Sequence, residues 1–130
     1  MNNCEQIERF RRYLPYLRMT AGYSQQGIAD ILEISKCTYS RIENSKGPMS
    51  RRDYYALRYI LSVSPSKNLT DALVDSITME DDERSELVRR FDEVIKNTGR
   101  KNGIIEISNR LIMTYNKFLL ERFYENFYKK

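Results

Sequence analysis

The sequence predicts an all-α fold: a compact N-terminal domain of about five helices, followed by a C-terminal helical segment. Two observations carry this. Apolar residues recur at three- and four-residue steps in nearly every segment, and no stretch alternates long enough to make a strand. Serine and glycine punctuate these segments where helices start and stop. Hydrophobic residues at 41% and charged residues at 31% give enough apolar mass for a core, which excludes a disordered or low-complexity chain.

Ile7, Phe10, Leu14 and Leu17 mark a first helix reaching about Ala21. Pro15 lies inside it, removing one backbone donor at about 3 kcal/mol, so a kink or a second helical start is expected there. Gly22 closes this helix, and Ser24 caps a short second one from Gln25 to Leu32, with Ile28, Ala29 and Leu32 inward. Glu33 and Ile34 make a tight turn. Ser35 caps a third helix from Lys36 to Asn44, with Tyr39 and Ile42 inward. After the loop Ser45-Lys46-Gly47-Pro48, Ser50 with Asp53 opens a fourth helix through Leu61.

Residues 62–67 form the expected boundary, which divides the chain into a domain at 4–61 and a C-terminal segment at 68–130. In that segment Leu69, Leu73, Val74 and Ile77 suggest a short helix. Thr78 is expected to cap a longer one, whose acidic first turn, Glu80 to Glu83, suits the positive end of the helix dipole. Leu87, Val88, Phe91, Val94 and Ile95 form its inward set, and Gly99 ends it. The last helix, about Ile104 to Tyr128, has more apolar residues than one stripe can hold. Leu111, Tyr115 and Phe118 form one row, and Ile112, Leu119 and Phe123 form another. Leu120, Tyr124 and Phe127 widen the band, so the expectation is a homodimer held by this helix.

Histidine is absent, which removes the commonest general base and metal ligand. No nucleophile–base pair, metal set or phosphate loop is visible, so neither an enzyme nor a cofactor is expected. No apolar run reaches the ~18 residues that span a membrane, and the first residues lack a signal peptide's apolar core. Cys4 and Cys37 match no metal spacing and are too few for a disulfide scaffold, which fits a reducing cytoplasm. Residues 1–61 hold 10 Lys and Arg against 6 Asp and Glu, whereas residues 62–130 hold 12 of each. The uncompensated positive charge therefore lies in the N-terminal half, where it favours contact with a polyanion.

Two short helices joined by a tight turn, the second basic and serine-capped, form a helix-turn-helix pattern. The run from Leu17-Arg18 through Gly22, Ser24, Gln25, Ala29 and Ser35 to Ile42-Glu43-Asn44 resembles the phage-repressor family of Cro and Xre type. The resemblance covers about residues 5–61. It implies that Ala29 lets two helices cross closely, that Arg18 pairs with Glu43, and that the helix starting at Lys36 reads DNA. It departs from the family at Gly27, where glutamate is usual, and at Glu33, where glycine is usual.

The expected DNA-binding set is Gln25, Lys36, Cys37, Thr38, Ser40, Arg41, Asn44 and Lys46. Gln25 stands at a helix start, where a phosphate can be held. Lys36 and Arg41 can donate to guanine O6 and N7. Cys37 projects from the same helix and is read first as a small, inert residue at a tolerant position, with oxidant sensing as the lesser alternative. Thr38 and Ser40 flank these residues, while Asn44 and Lys46 lie where the family meets the phosphate backbone. The function expected is a DNA-binding transcriptional regulator, most simply a repressor, acting as a homodimer on double-stranded DNA with two half-sites. The alternative is an antitoxin-like adaptor whose C-terminal helices bind another protein, with DNA contact secondary.

Overall fold

The computed structural model describes residues 3–45, 49–62, 65–76, 78–99 and 102–128. The described residues form helices joined by short turns, with no strand among them. Helix α1 spans Asn3–Thr20, α2 Gln25–Leu32, α3 Lys36–Asn44 and α4 Arg51–Ile60. Then α5, Pro65–Thr70, runs into a wider π-helical turn at Asp71–Asp75, followed by α6, Asp81–Thr98, and α7, Gly103–Tyr128. None of these helices is long and apolar enough to cross a membrane.

The spine is α1. It touches α3, α4, α5, the π-helical turn and α7, because Ile7, Phe10, Leu14 and Leu17 bury one whole face of it. It continues past Pro15 as one helix, so the second helical start does not occur. The fully buried leucines on either side of the proline each gain about 1.5–3 kcal/mol from burial, which outweighs the lost backbone bond. At its end the Tyr23 amide donates to the Arg18 carbonyl and the Gly22 amide to that of Met19. This closing geometry needs a left-handed residue at Gly22, whose φ is +86°.

The same geometry ends α2. Ile34 donates to the Ala29 carbonyl and Glu33 to that of Asp30. Here the left-handed position is held by Glu33, with φ 58° and ψ 41°. The turn therefore keeps the shape that glycine usually serves, and the glutamate bears a strain of about 1–2 kcal/mol. Gly27 has a local partner: its amide donates to the Ser24 hydroxyl at 2.9 Å, and an added Cβ would lie 3.2 Å from that oxygen.

Of the stretch expected as a linker, residues 65–67 belong to the start of α5, with Pro65 in the first turn, where a missing donor costs nothing. Ser66 is buried and its hydroxyl donates to the Leu17 carbonyl at 2.8 Å. Leu69, Leu73 and Val74 join Leu14, Leu57, Leu87 and Leu111 in one buried cluster, which residues of both 4–61 and 68–130 share. Residues 63, 64 and Ile77 of this region lie outside the described residues.

Helix α6 starts later than the sequence suggests. The Thr78 amide is taken by the Ser76 hydroxyl at 3.2 Å, and Glu80 holds the cap position, its own amide donating to Glu83 at 3.1 Å. Arg84 is buried beside this start, giving one guanidinium nitrogen to Asp81 and another to the Ser76 carbonyl. Leu87 and Phe91 are fully buried, while Val88, Val94 and Ile95 are half-buried against the core.

Helix α7 packs on α1 and α6. The row Leu111, Tyr115 and Phe118, expected in an interface between copies, is buried within the chain instead. Two bonds fix its position: the Ser108 hydroxyl donates to the Thr20 carbonyl at 2.7 Å, and that of Tyr115 to the Asn68 carbonyl at 3.2 Å. Arg90 pairs with Glu121 at 2.8 Å, and Arg122 with Glu83. Exposed arginine–carboxylate pairs along α6 complete its outer face, and those with Arg89 and Arg90 hold the Glu86 carboxyl down at about 2.

Candidate nucleic-acid interface

The basic helix α3 is short and amphipathic. The Ser35 hydroxyl accepts from the Thr38 amide at 3.1 Å, which fixes the helix start. Tyr39 is fully buried and Ile42 half-buried on one side. On the other side Lys36, Cys37, Thr38, Arg41 and Asn44 are exposed, with Ser40 partly so. The Asn44 amide donates to the Ser40 hydroxyl at 3.1 Å, which ties the far end of that face together. Arg51 and Arg52 are exposed at the start of α4 and extend the basic edge.

What fixes the orientation of α3 is a buried polar cluster behind it. Arg18 grips Glu43 with two nitrogens, at 2.8 and 3.1 Å, and gives a third bond to the Tyr23 carbonyl at 2.8 Å. Gln25 adds its amide to the same carboxylate at 3.2 Å. One carboxylate of α3 is thus held by α1 and α2 together. The Tyr39 hydroxyl is buried beside Glu43, and burial first, then that carboxylate, pushes its pKa well above the usual tyrosine value.

Of the expected set, Lys36, Cys37, Thr38, Arg41 and Asn44 are exposed on α3 and Ser40 partly so; by helical geometry Cys37, Ser40, Arg41 and Asn44 lie together, with Lys36 and Thr38 at the two edges of that face. The Gln25 side chain is turned inward to Glu43, leaving the start of α2, rather than that amide, toward solvent. Lys46 lies outside the described residues. Sequence reasoning missed Arg11, whose guanidinium donates to the Ser45 carbonyl across 34 residues and lines a groove with Thr38, Arg41 and Asp53. No local spacing signals such a contact. It also missed Arg58, which donates to Tyr54 at 2.7 Å and to Asp75 on the π-helical turn. Burial works against the charge of Arg58, but these hydrogen bonds outweigh it and its pKa is raised.

Among the described residues no group of acidic, cysteine and histidine side chains is gathered for a metal ion. No protein-family model matches the chain, and no curated protein or solved structure matches it either.

Proposed function

We propose that this chain is a sequence-specific regulator of transcription, most simply a repressor, that binds double-stranded DNA as a homodimer on two half-sites. The observation that carries the reading is the two-sided character of α3. Its inner face is held by the Arg18–Glu43–Gln25 cluster, and its outer face offers Lys36, Thr38, Arg41 and Asn44 without a covering element. The residues also resemble the Cro and Xre type of helix-turn-helix protein along Leu17 to Lys46.

The chemistry follows from donor geometry. An arginine fork matches O6 and N7 of a guanine in the major groove, and a lysine reaches the same acceptors singly. Arg41 and Lys36 are the readers in this account. The amides at the start of α2, Asn44 and the basic residues at 46, 51 and 52 position the duplex through its phosphates. A buried ion pair behind the reading helix suits this task, because register errors of a fraction of an ångström spoil bidentate contacts.

Selection from a pool of random duplexes tests the reading. The expected product is an enriched sequence with two related halves, their centres one helical turn or a multiple apart. A pool that stays unenriched after repeated rounds contradicts it. That result would favour the adaptor reading, in which the exposed apolar residues of α7 bind another protein.

A further inference from the structure

On α7 the residues covered by the rest of the chain and those left outside lie on different faces. Leu111, Tyr115 and Phe118 are buried, whereas Ile105, Met113, Leu120, Phe123 and Tyr124 are 65, 70, 68, 54 and 61% exposed. At 3.6 residues per turn the two sets lie roughly 160° apart around the helix. With whole side chains of this kind exposing about 200 Å² each, the outer set presents roughly 640 Å². That is slightly above the ~300–600 Å² of a monomer's usual largest patch and short of the ~800 Å² that each partner brings to an interface of standard size.

Along the edge of this outer face nearer the buried row runs an internal period, which shares Ile105 and Phe123 with the exposed set and takes in the half-buried Ile112. Ile105, Ile112 and Leu119 recur every seven residues, and Asn109, Asn116 and Phe123 recur every seven, offset by four. This is the seam spacing of a two-stranded coil, with the asparagines at the positions that set register. Both asparagines are exposed, and their side-chain amides have no hydrogen-bond partner among the described residues. Arg110, Lys117 and Glu121 fall off the seam, toward the polar side of the helix.

We propose that this face is covered by α7 of a second copy, lying parallel and in register, so that Asn109 and Asn116 each meet the same residue of the partner. The proposal rests on the dimeric reading above and adds its orientation and register. A twofold axis along the seam places every residue opposite itself, and an asparagine amide is its own complement, donor to acceptor. The antiparallel arrangement sets Asn109 against the partner's Leu119 and Asn116 against the partner's Ile112, so both amides are buried without a partner. Sliding the parallel pair by one heptad leaves one asparagine against phenylalanine. In-register parallel pairing alone satisfies both. Through the Ser108–Thr20 bond at the start of α7, it also brings both α2–α3 units to the same end of the pair, where one duplex can meet them.

Disulfide trapping in the full chain tests this, with Cys4→Ser and Cys37→Ser as background and unchanged helical content as the check on folding. Ile105→Cys and Phe123→Cys, oxidised separately, are each expected to give a linked dimer as the main product. Mixed together with tags of different mass, they are expected to give few 105–123 cross-links. Dominant 105–123 links would mean antiparallel helices and overturn the proposal. A protein that stays dimeric by mass while neither variant cross-links would overturn it by placing the interface elsewhere. An unsubstituted chain that is monomeric at micromolar concentration would overturn the dimeric reading itself.

Discussion

Glu43→Ala is expected to destabilise the fold by about 3–5 kcal/mol, the cost of removing one partner from a buried ion pair. The side chains of Arg18 and Glu43 are only 9% and 3% exposed, so solvent cannot take over either charge. Alanine would leave the Arg18 guanidinium buried with only the Tyr23 carbonyl, and the Gln25 amide with no acceptor. Against a total stability of about 5–15 kcal/mol this is a large fraction, and thermal unfolding should drop by on the order of 10 °C. The double change Arg18→Met with Glu43→Leu removes both charges and fills similar volume, so it should recover most of the loss. Denaturant unfolding of the three proteins checks the account. A loss below about 1 kcal/mol for Glu43→Ala would mean that the pair is not desolvated as described.

The second large effect concerns recognition. Arg41→Ala and Lys36→Ala are each expected to weaken binding to the selected site by about 1–3 kcal/mol per contact, counted twice in a dimer. Binding to random duplex should fall far less, since a base-edge donor carries sequence information that a phosphate donor does not. Lys46→Ala, a phosphate contact by resemblance, should weaken both kinds of binding alike. The readout is a pair of equilibrium titrations for each variant. Equal proportional losses across all three substitutions would show that Arg41 and Lys36 are not readers.

The parts of the fold legible in the sequence are those set by neighbours a few residues apart. Ser24, Ser35 and Ser50 each accept from the amide three residues on, a distance that sequence spacing exposes directly. The pairing of Arg18 with Glu43 spans 25 residues and came from the resemblance, since no periodicity links the two. Burial of Ser66 and Arg84 was hidden for the same reason: the Leu17 carbonyl that Ser66 meets and the Ser76 carbonyl that Arg84 meets come within reach only after the helices pack. The π-helical turn was hidden differently. It adds a residue to a turn while keeping Leu69, Leu73 and Val74 inward, so its apolar pattern reads as ordinary helix. On α7 composition showed an excess of apolar residues, but only packing decides which row is covered.

The central claim is that the exposed face of α3 and its basic neighbours meet the phosphates and bases of a duplex. Its most direct test is the affinity of the full chain for a random-sequence duplex, measured between about 50 and 200 mM salt. Each phosphate neutralised releases counterions, so a dimer making about six such contacts should give a slope on the order of −5 in log K against log salt. Binding that is absent at the lowest salt, or whose slope is near zero, would contradict the claim.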